Sequence, residues 1–144
     1  MAIELIQCIR YILDKVNMLK PRALTAVLSQ ANTDGVHSSF VFRQDGTLLA
    51  FSSVKSDSSD PRVVAAIASK IWGVYEKSGR AALDQNTLEM LLLDCDEGHV
   101  GVVPAHHTLI CLIGDRDLGF GMLKAKADAL VRFLEDPLSQ IGVA

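Results

Sequence analysis

The chain has 144 residues, of which 49% are hydrophobic and 22% charged, which excludes a disordered or fibrous protein and fits one globular domain. Its formal net charge of −3 argues against nucleic-acid binding, because that function calls for a basic surface. The cysteines Cys8, Cys95 and Cys111 are odd in number and widely spaced, which predicts reduced, buried thiols of a cytosolic protein. No apolar run reaches transmembrane length, so we expect no direct membrane insertion.

Residues 1–17 show helical periodicity, with Ile6, Ile9, Leu13 and Val16 on one side. Charged residues interrupt this apolar stretch, so it does not fit a signal peptide. We predict an extra amphipathic segment that docks on its own domain or on a partner. A peripheral membrane helix is the less favoured alternative, because the segment contains only two basic residues.

The next elements are a helix and a hairpin. A helix is predicted over Pro21–Ala31, with apolar residues Leu24, Val27 and Leu28 on one side. Strands are predicted over Val36–Arg43 and 47–53, on either side of the turn residues Asp45–Gly46, because glycine tolerates the positive φ of a tight hairpin. The first strand is expected to place Val36, Ser38, Phe40 and Phe42 on one face.

The stretch 60–79 predicts a long helix with two distinct faces. Asp60 is a suitable N-cap, Pro61 fits the first helical position, and Gly79 is expected to end the helix. An apolar stripe suits the sheet of the same chain: Val64, Ile67, Ala68, Ile71 and Tyr75. A stripe of small residues suits a second chain: Ala66, Ser69 and Gly73. The alternative is a helix that is fully buried within a monomer.

The second half predicts three strands and a last helix. The strands are expected over 87–94, 99–103 and 107–113, and Pro104 is expected to end the second of them. The helix is expected over 119–135, ending before Pro137. Its buried stripe would be Phe120, Leu123, Ala127, Leu130, Val131 and Leu134. This order of elements predicts a single α+β domain with one antiparallel-rich sheet and helices on both faces.

No constellation of residues predicts catalysis. The glycines of 119–121 precede a helix, but the full dinucleotide and P-loop patterns are absent, so close packing at the helix start is the favoured interpretation. The acidic turn 94–97 lacks the spacing of a calcium loop, so a solvated turn is the favoured interpretation. His106 and His107, placed in a strand, would point to opposite faces and would not share a metal. We therefore expect no enzyme activity, no cofactor and no metal.

Several segments keep a common order along the chain: MLKP at 18–21, LLAFS at 48–52, AAIAS at 65–69 and GFGMLKAKA at 119–127. Together they resemble the roadblock (dynein light chain-like) family and, within it, the roadblock subunits of the Ragulator scaffold. The resemblance covers residues 18–144 and leaves residues 1–17 outside the domain. It implies a roadblock/profilin-like three-layer α/β/α fold with a five-stranded antiparallel sheet, the central helix on one face and the first and last helices on the other.

The resemblance also implies a function. A protein of this kind would be a non-catalytic scaffold, held by its partners on the cytoplasmic face of late endosomes and lysosomes, that supports Rag GTPase recruitment, TOR activation and MAP kinase signalling. The expected partners are a roadblock-type heterodimer partner (the MEK-binding adaptor), a lipidated lysosomal anchor subunit on the helices beginning at Pro21 and Gly119, and Rag GTPases through the complex. The alternative is a dynein-associated light chain or a stand-alone regulator of a small GTPase.

In such pairs the central helices pack together and the third strands join the two sheets. The residues expected to bind the partner are Ala66, Ser69, Lys70, Gly73, Leu88, Met90 and Leu92. The chain departs from the family pattern in residues 1–17, in the long polar loop 53–60 and at His106–His107. Pairing through the central helix is expected to survive these changes, whereas contacts that the family makes through the altered loops are not inferred for this chain.

Overall fold

The computed structural model of the chain describes residues 5–6, 21–55, 59–83 and 87–141, without the side chains of residues 21–23 and 136–141. Of the predicted N-terminal helix only residues 5–6 lie inside these ranges, and Leu5 packs against the core. Cys8 and residues 56–58 of the predicted polar loop lie outside them. The elements follow the order α1 (Pro21–Ala31), β1 (Val36–Arg43), β2 (Leu48–Ser53), α2 (Pro61–Ala82), β3 (Leu91–Cys95), β4 (Gly98–Ala105), β5 (Thr108–Gly114) and α3 (Phe120–Ile141).

The strands form one five-stranded antiparallel sheet in the order β2-β1-β5-β4-β3. The central pair, β1 and β5, extends from Val36 opposite Gly114 to Arg43 opposite Thr108, with one shift of register near its start. Among the described strands, β2 and β3 each have one neighbour and form the two edges. The predicted α+β class and five-stranded antiparallel sheet are confirmed.

Helices cover both faces of this sheet, as predicted. A first core cluster joins α1 and α3 to one face, and its fully buried members include Leu28, Val41, Ile110, Leu112, Leu123 and Leu134. A second cluster joins α2 to the other face through Phe40, Phe42, Ala65, Ala68, Trp72, Leu91, Val102, Leu109 and Cys111. Each large apolar side chain removed from water in these clusters contributes about 1.5–3 kcal/mol before the entropic cost of ordering.

Strand β1 supplies both clusters, which differs from the predicted single face. Phe40 and Phe42 belong to the second cluster, whereas Val36 belongs to the first with Val41. The β1–β5 register shifts between Val36 and Ser38. Such a bulge inserts one residue and turns the preceding side chain to the opposite face, which strict alternation does not anticipate.

The turn between β1 and β2 forms where it was predicted. Gly46 adopts φ +96°, and its N–H donates to the carbonyl of Arg43 over 2.9 Å. The N–H of Thr47 donates to Oδ1 of Asp45 over 2.9 Å. This hydrogen bond favours the carboxylate and lowers the pKa of Asp45 below its ordinary value.

Helix α2 runs past the predicted stop at Gly79 and ends at Ala82. The N–H of Leu83 closes its last turn on the carbonyl of Gly79 over 3.0 Å. An ion pair of 3.8 Å joins Arg80 to Glu76 one turn earlier. Glycine in a helix costs only about 1 kcal/mol relative to alanine, so the helix formers after Gly79 continue it.

The predicted breaks at Pro104 and Pro137 are both wrong. Pro104 lies inside β4, but β3 pairs with β4 only as far as Val102, so Pro104 occupies a position with a neighbour on one side only. Pro137 lies inside α3, which extends to Ile141. A proline there removes one helical hydrogen bond without obliging the chain to leave the helix.

Candidate protein-binding surface

The first turn of α2 is fixed as the sequence predicted. Oδ1 of Asp60 accepts a hydrogen bond of 2.9 Å from the N–H of Arg62, and Pro61 occupies the first helical position. The carbonyl of Asp60 also accepts from the N–H of Val63 over 3.0 Å. These bonds satisfy the free donors of the first turn, and so they set where the helix begins and how it is rotated about its axis.

The face that α2 turns to the sheet differs from the predicted one. Its buried residues are Ala65, Ala68, Ser69 and Trp72. Three are small and bring the helix close to the phenylalanines of the sheet, while Trp72 fills the remaining space and is 2% exposed. In the predicted stripe only Ala68 is buried; Val64 and Ile71 pack on the rim of the cluster, and Ile67 and Tyr75 are exposed.

A line of side chains on the opposite side of α2 faces solvent. It consists of Val63, Ile67, Lys70 and Val74, spaced i, i+4, i+7 and i+11, and we refer to it as the outer stripe. Val63, Ile67 and Val74 are 53%, 55% and 56% exposed. Three β-branched apolar residues in line on one exposed helix face are typical of a protein-binding surface.

One residue of the predicted stripe of small residues is buried against the sheet, and the other two are exposed. Ser69 is buried, its Oγ donates to the carbonyl of Ala66 over 2.9 Å, and it lies beside the β1–β2 turn at Gly46. We therefore correct its placement, because it faces its own chain. Ala66 and Gly73 are exposed beside the outer stripe, and a Cβ added at Gly73 would meet nothing within 4 Å.

Strand β3 forms the edge of the sheet at the opposite end from β2. It pairs with β4 from Leu91 opposite Val102 to Cys95 opposite Gly98, and its other side has no strand neighbour within the described ranges. Leu92 is 41% exposed on this edge. An edge strand offers free N–H and C=O groups that a strand of another chain can pair with.

The start of β3 was predicted too early. Residues 87–90 are not a strand, because the ladder with β4 begins only at Leu91. Two of the expected partner-binding residues lie in this preceding segment. Leu88 packs on the rim of the second cluster and Met90 on the rim of the first, so both are half-buried against their own chain.

A cleft of about 740 Å³ extends the apolar surface beyond the N-terminal end of α2. Its floor includes Phe40 and Phe51, whose rings stack with centroids 6.1 Å apart, and Val64 forms part of its wall. Phe51 is 40% exposed. The apolar surface around α2 therefore includes part of the uncovered sheet as well as the helix.

The acidic turn after β3 is solvent-exposed, as predicted, and it is tied to the start of α3. Arg116 donates from Nη1 to the carbonyls of Cys95 and Asp96 over 3.1 and 3.0 Å. Nε2 of His99 lies 3.3 Å from Oδ1 of Asp94, and its ring stacks on Phe120 at 4.2 Å. These contacts hold the end of the free edge in a fixed position.

In the part of the chain that the structure describes, no three His, Cys, Asp or Glu side chains lie close enough together to hold a metal ion. His106 and His107 form the turn between β4 and β5 rather than strand positions, with His106 at φ 58° and the two rings 6.1 Å apart. Added Cβ atoms at Gly119 and Gly121 would meet nothing within 4 Å, so the predicted close packing there is wrong.

The two described cysteines differ in environment. Cys111 is buried in the second cluster, and burial raises the pKa of its thiol from 9.0 to about 12. Cys95 is exposed at the end of β3, so the prediction of a buried thiol was wrong at this position. The aspartates on either side of it, Asp94 and Asp96, are the sequence signal that this last residue of an edge strand is exposed.

Sequence reasoning missed Val63 and Val74 and placed Ile67 inside. Both faces of α2 are apolar, so periodicity alone does not identify the face that contacts the sheet. The signal that identifies the exposed face is Lys70. A lysine at i+3 from Ile67 and i−4 from Val74 marks that line as accessible to solvent.

Comparison with known proteins is consistent with this architecture. The sequence model of the Roadblock/LC7 domain matches residues 23–114. The chain is 30% identical over 126 residues to a Ragulator complex protein LAMTOR2 homolog of Caenorhabditis elegans, covering 87% of this chain and 97% of that protein.

Solved structures show the same fold. A Roadblock/LC7 domain from Streptomyces avermitilis superposes with a TM-score of 0.71 at 17% identity, over 80% of this chain and 97% of that one. Profilin IB of Acanthamoeba castellanii superposes with a TM-score of 0.54 at 10% identity, over 78% of this chain and 96% of that one. The roadblock/profilin-like three-layer arrangement is therefore confirmed.

Proposed function

Because this chain belongs to the Roadblock/LC7 family, we propose that it is a non-catalytic scaffold subunit of a Ragulator-type complex. In this proposal it pairs with a second roadblock subunit of the MEK-binding adaptor type. The pair is located on the cytoplasmic face of late endosomes and lysosomes, where it supports Rag GTPase recruitment, TOR activation and MAP kinase signalling. The identity to the LAMTOR2 homolog over nearly the whole of that protein supports this choice within the family.

The observation that carries the proposal is the exposed outer stripe of α2, and the free edge of β3 supports it. Trp72 of α2 and Leu91 of β3 belong to the same core cluster, so the helix lies on the sheet face to which β3 contributes, and in this proposal one partner subunit contacts both elements. Burying the exposed parts of Val63, Ile67 and Val74 would supply about 1 kcal/mol each. Strand pairing along β3 would add directional hydrogen bonds that set the register of the two subunits.

The residues proposed to contact the partner are a corrected version of the predicted set. Ala66, Lys70, Gly73 and Leu92 remain, because all four are exposed. The apolar residues of the outer stripe join them: Val63, Ile67 and Val74. Ser69 is left out because it is buried. Leu88 and Met90 are half-buried, so we expect them to make smaller contacts with the partner.

The opposite face of the domain is proposed to hold the lipidated anchor subunit. Helices α1 and α3 cover that face, and Met122 on α3 is 53% exposed. Among the described residues no helix is long and apolar enough to cross a membrane. Attachment to the organelle is therefore assigned to the anchor, and contact with Rag GTPases to the assembled complex.

Two charge insertions at equally exposed apolar residues test the proposal. Ile67 and Met122 are 55% and 53% exposed, and they lie on helices that cover opposite faces of the sheet. Titration calorimetry with a purified MEK-binding adaptor should show that Ile67→Arg weakens pairing at least about a hundredfold, or about 2.7 kcal/mol. Met122→Arg should leave this pairing unchanged and weaken capture by the anchor subunit.

The pattern of recovered proteins distinguishes the alternatives. If the wild-type chain captures a dynein intermediate chain and ignores both the adaptor and the anchor, the light-chain alternative is correct. If Ile67→Arg and Met122→Arg bind the adaptor equally well, the outer stripe is not the pairing surface. A stable monomer that binds no roadblock subunit would refute the scaffold function.

A further inference from the structure

Helix α2 carries a charge opposite to that of the whole chain. It contains four basic residues and one acidic residue, a formal net charge of +3 in a chain whose net charge is −3. The basic residues are Arg62, Lys70, Lys77 and Arg80, and all four are exposed. The surface proposed for pairing is therefore apolar along its centre and basic around it.

Lys70 is the charged residue within the outer stripe itself. It is the tenth of the 22 residues of α2, between the exposed Ile67 and Val74. Arg62 and Arg80 have ion-pair partners, Asp60 and Glu76, whereas Lys70 makes no ion pair with any residue that the structure describes. Its ammonium group is thus available to a carboxylate of another chain.

We propose that Lys70 determines which subunit this helix accepts: it disfavours a second copy of the chain and favours a partner whose central helix carries an acidic side chain opposite it. The proposal rests on the function proposed above and adds the chemistry of the partner. In this arrangement the apolar residues of the outer stripe supply affinity, and Lys70 supplies the choice between partners.

Geometry explains why a second copy is disfavoured. If two copies packed their outer stripes antiparallel, the two-fold axis would pass near the middle of α2, where Lys70 lies. Helix axes in such contacts are about 8–10 Å apart, so the two ammonium groups would come within roughly one Debye length at physiological salt. Each helix would also bring its net charge of +3 to the same contact. An acidic residue on the facing helix reverses the sign of the central interaction.

Self-association of the purified full-length chain tests this inference without any other protein. Sedimentation equilibrium compares the wild type with Lys70→Met, which keeps the length of the side chain and removes its charge. Lys70→Met should self-associate about tenfold more tightly than the wild type. Lys70→Arg should remain as weak as the wild type, because it keeps the charge. Arg132→Met, the same loss of charge on the exposed surface of α3, should change nothing.

A mixed pair supplies the acidic partner. An equimolar mixture of the wild type and Lys70→Glu should form a heterodimer about tenfold tighter than either chain forms alone. Raising the salt from about 0.05 M to about 0.5 M should strengthen wild-type self-association and weaken the mixed pair, because screening reduces repulsion and attraction alike.

The outcomes separate this inference from the pairing surface on which it rests. If Lys70→Met and the wild type self-associate equally, or if the mixed pair is no tighter than its components, the selective role of Lys70 is refuted. If Arg132→Met tightens association as much as Lys70→Met, the effect is unspecific and the inference fails. If Ile67→Arg leaves association and adaptor binding intact, the pairing surface itself is wrong.

Discussion

Replacing Gly73 with arginine is expected to change folding stability and partner binding in opposite directions. Gly73 lies in the middle of α2, is exposed, and would allow a Cβ without any contact within 4 Å. Removing glycine from a helix interior stabilises the fold by up to about 1 kcal/mol, which corresponds to roughly 2–5 °C in Tm for a domain of this size. Thermal unfolding of the isolated chain should therefore shift upwards.

The same substitution should weaken pairing because Gly73 flanks the outer stripe. A large side chain where two helices approach closely costs about 1–3 kcal/mol, and 1.4 kcal/mol corresponds to a tenfold change in Kd. We expect a loss of at least about tenfold in titration calorimetry with the roadblock partner. Gly79→Arg is the matched control: Gly79 lies in the same helix, also without neighbours around its Cβ position, but it points about 150° away from the middle of the outer stripe, against about 90° for Gly73.

The binding and stability measurements on Gly73→Arg test different parts of the reasoning. Undiminished binding by Gly73→Arg would show that the partner helix does not pass over this part of α2. A lower Tm would mean that Gly73 is in tight contact within its own chain, contrary to its exposure. Equal losses of binding for Gly73→Arg and Gly79→Arg would point to a general electrostatic effect of added arginine and would refute the steric explanation.

Other expectations follow from single features of the fold. Native alkylation followed by peptide mapping should modify Cys95 rapidly and Cys111 only on unfolding, because Cys95 is exposed and Cys111 is buried. Since the folded pKa of Cys111 is raised from 9.0 to about 12, its contribution to stability is complete below pH 9 and lost towards pH 12; denaturant titrations should show a shallower decline in Cys111→Ala. Asp60→Ala should lower the free energy of unfolding by about 1 kcal/mol, because it removes the N-cap of α2. Deleting residues 1–17 should leave the domain folded and pairing through α2 intact, since Leu5 packs on the opposite cluster, and a Tm lower by many degrees would place the segment in the core.

Helices with a single apolar face, and the tight hairpin turn, were predicted well from the sequence. The apolar residues of α1 and α3 face the first cluster as expected. The other sides of both helices are more polar, so only one face of each helix can pack against the sheet. The Asp45–Gly46 hairpin was equally clear, because its positive φ is available at low cost only to glycine. In these elements the local pattern and the packing agree.

The predictions were wrong where the local sequence pattern is compatible with two different arrangements in the folded chain. Helix α2 is apolar on both faces, and whether Trp72 or Ile67 faces the sheet depends on the space left by Phe40 and Phe42, which are distant in sequence. Pro104 was expected to end a strand, but its tolerance depends on how far β3 extends along β4. The exposed face of α2 lies about one residue, or 100°, in rotation from the stripe that the sequence predicted to face a partner, because the helix–sheet packing that fixes the rotation is a tertiary property.

Amide hydrogen exchange of the paired complex tests the central claim most directly, because the sheet has two edges and only one of them is proposed to bind the roadblock partner. In the free chain, the backbone amides that point outwards from β3 (Leu91–Cys95) and from β2 (Leu48–Ser53) should exchange rapidly. On binding the adaptor, β3 should become protected while β2 keeps its rate. Protection of β2, with β3 unchanged, would contradict the proposed pairing of this subunit.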